Sequence, residues 1–228
     1  MENTPLITRY ELKFPFENLS RFEMESWVRL HSWGFRVAYP PRQVNNIYFD
    51  SLSMDTFNDH IEGVPLRRKL RYRWYGRDLA QARGQLEVKN KSERAGWKLI
   101  QPVDEILHLD QMSWGEIMKV LRSHADGIFR ELLEVSGPVL INHYQREYYV
   151  SGDGRVRLTL DYDLCSYRQW VDFFPNLSFK LPELDSVLIE IKSDVIHGRE
   201  VSDVIAEFPL RAWRYSKYVD GMDSILER

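Results

Sequence analysis

Lys69, Arg71 and Arg73 take every second position of KLRYRWYG (69–76), with Leu70, Tyr72 and Trp74 between them. In an extended chain successive side chains point to opposite faces, so the cations share one face and the apolar residues the other. The alternation recurs. RYELKF (9–14) sets Arg9, Glu11 and Lys13 against Tyr10, Leu12 and Phe14, and QLEVKNK (85–91) sets Glu87, Lys89 and Lys91 against Leu86 and Val88. RVRLTLDYD (155–163) sets Arg155, Arg157, Thr159 and Asp161 against Val156, Leu158, Leu160 and Tyr162. VLIEIKS (187–193) carries Glu190 and Lys192 opposite Ile189 and Ile191, and HYQREYY (143–149) places Arg146 between Tyr144 and Tyr148.

One reading of these faces is a soluble surface of mixed charge, which any half-solvated antiparallel sheet produces by alternation. On such a surface Ser, Thr, Gln and Asn are expected, and they are scarce here. The other reading is a closed sheet with a polar interior and helices outside, the reverse of a small barrel with an apolar interior. Two cations about 5.5 Å apart repel by roughly 3 kcal/mol at an effective dielectric near 20, so such an interior requires a highly charged anion. A chain of phosphates meets that need. Arginine forks bind phosphate oxygens bidentately and lysines supply point charge.

The elements that must position these residues read mainly as strands, at 9–14, 45–51, 64–76, 84–91, 97–103, 142–150, 155–163 and 186–193. SGDG (151–154) predicts a hairpin turn, since Gly and Asp tolerate positive φ. Helical spacing appears at 18–33 through Leu19, Phe22, Ser26, Trp27 and Leu30. It appears again at 113–123, where Ser113 and Glu116 make a capping-box signature ahead of Ile117, Val120 and Leu121. Shorter helices are expected at 128–135 and 218–226, while FDSLSMDTF (49–57) reads as a strand end followed by an irregular segment. Trp27, Trp33 and Trp114 are expected to bury the helix faces. The expected fold is α+β, an eight-stranded antiparallel sheet able to close on itself, in a single domain over 1–228.

Composition excludes several classes. The 43% hydrophobic and 13% aromatic content suits a globular chain rather than a disordered one. A net charge of −3 argues against a nucleic-acid partner held by an overall positive field. The lone Cys165 forms no internal disulfide, has no adjacent His and reads as a packed small hydrophobe. The histidines fall at no zinc-ligand spacing. No apolar run approaches membrane-span length, and MENTPLITRYELKF lacks the pattern of a leader, so the expected location is cytoplasmic.

In order along the chain, RYELKF, NNIYFDS, KLRYRWYG, LEVKNK, HYQREYYV with VRLTLDYD, LIEIKSD and RYSKYVDGM resemble the VTC domain. This is the polyphosphate polymerase module of vacuolar transporter chaperone complexes and of many bacterial proteins. It belongs to the triphosphate tunnel metalloenzyme, or CYTH-like, group, which resembles class IV adenylate cyclase and thiamine triphosphatase in fold. The resemblance implies a closed eight-stranded antiparallel β-tunnel with flanking helices on the outside. It would bind ATP and Mg²⁺ or Mn²⁺ and move the γ-phosphate onto polyphosphate.

Carried over by motif, Lys13, Arg71, Arg73, Lys89, Arg146, Arg157 and Lys217 are the implied phosphate ligands. Lys69 and Lys192 on the same cationic faces join them. Lys98 in WKLI matches a further family lysine, while the neighbouring family arginine is replaced by Ile100. The implied catalytic set is Arg71, Arg73, Lys89, Arg157 and Glu190. Glu190 is the implied metal ligand, with Glu11 sharing the metal or serving, like Glu87, as an internal counter-ion. Asp161 fits either role, and Tyr48 and Tyr148 fit phosphate donation or packing. Tunnel triphosphatases and cyclases begin with Glu-x-Glu-x-Lys, whereas this chain has Arg9-Tyr10-Glu11-Leu12-Lys13, which favours the polymerase branch. A tunnel triphosphatase and a non-catalytic polyanion binder stand as the alternatives. Family members beside membrane segments imply, for this chain, a separately encoded membrane-protein partner.

Overall fold

The computed structural model describes residues 9–17, 20–92, 95–169, 172–181, 186–194, 197–207, 213 and 215–226. The Arg9 and Tyr10 side chains and Leu19, all named above, lie outside the described residues.

Alternation produces the strands it predicts: β1 (Arg9–Glu17), β2 (Arg36–Asp50), β3 (Leu66–Tyr75), β4 (Gln81–Ser92), β5 (Ala95–His108), β6 (Gly137–Val150), β7 (Val156–Arg168) and β8 (Ser186–Asp194). They form one eight-stranded sheet in the order β1-β8-β7-β6-β2-β3-β4-β5. The pairings β1·β8, β7·β8, β2·β3, β3·β4 and β4·β5 are antiparallel. In this order β1 and β5 are the ends. The expected turn at 151–154 joins β6 to β7: Ser151 N–H donates to Val156 O at 2.9 Å, and Gly154 takes φ +78.

Backbone contacts divide the chain into two compact units. The first comprises 1–42, 144–164 and 183–215, the second 43–143, 165–182 and 216–228. The first unit buries the apolar faces of its strands, through Phe14, Leu158, Ile189 and Ile191, beneath α1 (Arg21–Leu30) and α5 (Gly198–Ala206). Helix α1 begins at a capping box in which Ser20 and Glu23 satisfy each other's backbone N–H. Trp27 and Trp33 pack against this cluster from its rim.

In the second unit Ile47, Leu70, Tyr72, Trp74, Leu86 and Val88 face α3 (Trp114–His124) and α4 (Gly127–Val135). The Ser113/Glu116 capping box forms as expected, and Trp114 and Cys165 are buried in this core. Gly84 is required where β4 lies close against β3, opposite Trp74: a Cβ there would stand 2.1 Å from Arg73 O, beside a register shift in the β4·β5 ladder between Ala82 and Gly84.

Several expectations need correction. The helix expected over 18–33 is α1, confined to Arg21–Leu30 because Ser20 caps it and His31 is already extended. The segment expected to be irregular forms a short helix, α2 (Asp55–Ile61), started from Met54 in the left-handed region. Asp50, at the end of β2, accepts from Thr56 and Phe57 N–H at 2.9 and 3.0 Å and so supplies the missing cap. Helix α5 was not anticipated, and β2 starts well before 45 in spite of Pro40 and Pro41.

Helices also lie on the polar face of the sheet in the second unit. Tyr48 lies opposite Arg71 in the β2·β3 ladder and therefore shares its cationic face. There its ring meets Tyr218 of α6 (Lys217–Leu226) at 5.2 Å, in a cluster with Met54 and Phe57 at α2. Within the second unit, α2 and α6 cover part of the cationic face.

Candidate functional site

The expected site residues fall into two constellations, one in each unit. In the first unit β8 pairs with β1 on one side and β7 on the other, which brings Lys13 and Thr159 opposite Glu190, and Glu11 and Arg157 opposite Lys192. Glu190 is buried, and its carboxylate accepts from Lys192 Nζ at 2.7 Å. Arg146 Nη2 and Lys13 Nζ stand 3.5 and 3.8 Å from it. Lys13 also donates to Tyr215 O at 3.0 Å and lies 3.5 Å from Glu11.

Arg146 is clamped by Asp161, with Nε to Oδ1 at 2.5 Å and Nη2 to Oδ2 at 2.6 Å. Its guanidinium also lies over the Tyr144 ring. Burial works against the Arg146 charge, and Asp161, Tyr144 and Glu190 outweigh it, so its pKa is raised further. Arg157 is exposed and makes no hydrogen bond or ion pair among the described residues. It lines an open cavity of about 380 Å³ with Asp153, Arg155, Asp194 and His197, at the β6–β7 turn and not over Glu190. Tyr148 accepts from Arg42 Nε at 2.8 Å.

In the second unit the central feature is Glu87, fully buried on β4. It accepts from Arg71 Nη2 at 2.6 Å, Lys98 Nζ at 2.9 Å and Gln85 Nε2 at 2.7 Å, with Arg73 Nη1 at 3.9 Å. Burial alone would push this carboxyl up. The charges of Arg71, Arg73 and Lys98 win and hold it well below the usual carboxylate range.

The β3·β4·β5 register places Lys69, Lys89 and Lys98 side by side, one pair beyond Arg71 and Glu87. Lys69 Nζ donates to Ser216 Oγ at 2.8 Å, lies 3.3 Å from His60 Nδ1 and stands over the Tyr218 ring. Lys217 opens α6 and is buried. The next residue, Tyr218, donates its hydroxyl to buried Asp50, and burial together with that carboxylate pushes its pKa well up. Through that bond α6 is tied to the end of β2.

Sequence reasoning missed two partners. Asn46 accepts from Arg73 Nε at 2.8 Å and donates to Asn142 Oδ1 at 2.8 Å, all three side chains being buried. Asn46 and Asn142 sit on strands far apart in sequence, and only the β6–β2 adjacency brings them together. Of the two roles open to Asp161, it takes that of the counter-ion that fixes Arg146.

The donor set around Glu190 suits a hard divalent cation that takes one or two carboxylates from protein and the rest of its oxygens from phosphate and water. Among the described residues no group of three or more His, Cys, Asp and Glu is arranged to hold a metal by itself. With three cations near Glu190, the charge balance fits a metal that arrives with an anion.

The family model for the VTC domain matches residues 31–226, and the chain belongs to that family. The comparison with curated proteins finds no match. Among solved structures, a protein of Pyrococcus horikoshii is similar with a TM-score of 0.50 at 14% identity, over 96% of this chain and 98% of that one. A candidate adenylate cyclase of Vibrio parahaemolyticus gives 0.52 at 14%, over 95% and 98%. A candidate adenylyl cyclase of Hippeastrum, described as having a dominant triphosphatase activity, gives 0.50 at 16%, over 94% and 96%. The shared fold is that of an antiparallel sheet of eight strands with accompanying helices. No described helix is long and apolar enough to cross a membrane.

Proposed function

We propose that this protein is a triphosphate tunnel enzyme that transfers the γ-phosphate of ATP to a growing polyphosphate chain. The observation that carries the reading is the cation-rich polar face around buried Glu190, where Lys13, Arg146 and Lys192 converge on one carboxylate. Membership of the VTC family supports the same chemistry. As part of the proposal, the sheet closes into a tunnel and residues 1–228 act as one domain, which the continuous family match favours. The setting proposed is cytoplasmic, with any membrane role supplied by a separate membrane-protein partner.

In the transfer, a terminal oxygen of the polymer forms a bond to Pγ while the bond from Pγ to the β–γ bridging oxygen breaks and ADP leaves. Phosphoryl transfer of this kind asks the protein for positioning and charge neutralisation rather than a nucleophilic side chain. Arg157, Lys192 and Lys13 hold phosphate oxygens, and Arg146, locked by Asp161, supplies a fixed positive charge. Arg71, Arg73, Lys69, Lys89, Lys98 and Lys217 hold phosphate on the strands and helix that carry them, with Glu87 keeping Arg71 and Lys98 in place. Glu190, with Glu11, would hold Mg²⁺ or Mn²⁺, a hard cation that would supply positive charge toward the phosphates. Metal-dependent turnover that is lost in Glu190→Gln while tripolyphosphate binding survives supports this assignment. Full activity in that variant contradicts it.

The second reading is a tunnel triphosphatase that passes the γ-phosphate to water, favoured by the activity described for the Hippeastrum protein of like fold. The polymerase is preferred because Arg9 stands where hydrolytic relatives carry a glutamate.

A further inference from the structure

Thr159 lies near the start of β7, more than nine-tenths buried, and its Oγ1 makes no hydrogen bond among the described residues. Buried hydroxyls are seldom left unpaired, and an orphan in a native fold calls for a partner the protein alone does not supply. The β7·β8 register sets Thr159 directly opposite Glu190, so its side chain shares the face on which Glu190, Lys192 and Arg146 meet. Threonine is stiff at χ1, so the hydroxyl is held in position.

A second observation points the same way. Arg157 and Lys192 are the next cross-strand pair on this face, about 7 Å along the ladder. Like charges directly opposite destabilise a sheet. Lys192 is answered by Glu190, but Arg157 has no carboxylate partner among the described residues. An unanswered guanidinium and an unanswered hydroxyl, two residues apart on one strand face, define a subsite for an oxyanion.

We propose that the Thr159 hydroxyl donates a hydrogen bond to a phosphate oxygen of a linear polyphosphate-class anion, completing a subsite with Arg157 and Lys192. This rests on the reading of the face as a phosphate site. In it Thr159 is a ligand-contacting donor, and Glu190 opposite is left available to a cation brought with the anion.

Inorganic tripolyphosphate is the probe, titrated calorimetrically into wild type, Thr159→Val, Thr159→Ser and Arg157→Ala, with melting temperatures measured without ligand. Because no protein hydrogen bond is lost, Thr159→Val is expected to melt at or above the wild-type temperature, yet to bind tripolyphosphate about ten-fold more weakly, with Thr159→Ser restoring affinity. Wild-type affinity in Thr159→Val overturns the proposal, as does a fall in melting temperature that Thr159→Ser repairs, since that marks a structural hydroxyl. If Arg157→Ala weakens binding while Thr159→Val does not, only the Thr159 assignment fails. If wild type does not bind tripolyphosphate, or Arg157→Ala binds it unchanged, the phosphate reading of the face fails with it.

Discussion

Arg146 and Asp161 face each other across β6 and β7 as a bidentate pair, at 2.5 and 2.6 Å, with both residues buried. Such a pair is costly to desolvate and costlier to break, because removing one partner strands a buried charge. Asp161→Asn is therefore expected to lose about 3 kcal/mol or more in urea unfolding. A loss below about 1 kcal/mol, the range of exposed pairs, would contradict the arrangement.

Glu87 makes stability depend on pH in a defined direction. Its carboxyl is buried, but Arg71, Arg73 and Lys98 lower its pKa below the ordinary value near 4.5. A group lowered in the folded state stabilises the fold above its unfolded-state pKa and loses that contribution as pH falls toward the folded value. Unfolding free energy should thus decline as pH drops below about 4.3. Glu87→Gln should flatten that acid limb and lower stability at neutral pH by about 3 kcal/mol. An unchanged acid limb in the variant is the contrary result.

The arginines separate binding from folding. Arg157 is exposed, so Arg157→Ala should leave the melting temperature near wild type while weakening ATP binding ten-fold or more, about the worth of one charge-assisted bond. Arg73 is buried against Asn46 and Glu87, so Arg73→Ala should weaken ATP binding and also destabilise the fold. Wild-type ATP binding in Arg73→Ala would remove its strand from the phosphate site.

Gly84 tests the local geometry beneath Arg73. A Cβ at this position would press on the Arg73 carbonyl, so Gly84→Ala must push β4 away from β3. The expected cost is about 2 kcal/mol or more, read from the urea midpoint. Tolerance of alanine would show that the two strands do not approach so closely.

The cationic faces were legible because period-2 alternation is a local signal, and the β1·β8, β7·β8 and β3·β4 registers bring those alternating residues abreast. Helix α3 was legible through its Ser-x-x-Glu capping box and α1 through the three- and four-residue spacing of Phe22, Ser26, Trp27 and Leu30. Helix α2 was hidden because its cap comes from Asp50, outside the helix, and its start needs Met54 at positive φ. The early part of β2 was hidden by Pro40 and Pro41, which read as a break. That α6 covers a cationic face rather than an apolar one depends on Lys69 reaching Ser216 and on Tyr218 reaching Asp50. Those contacts span 147 and 168 residues, a distance that no local pattern records. Arg146 was visible as a cation, whereas its lock, Asp161, emerged only when β6 and β7 were set side by side.

The most direct test of the central claim is to incubate the purified protein with ATP and Mn²⁺ and resolve the products on a polyacrylamide gel stained for polyphosphate, with free phosphate assayed in parallel. A polymer ladder that vanishes in Glu190→Gln is the predicted result. Free phosphate without polymer would contradict the polymerase and establish the triphosphatase in its place.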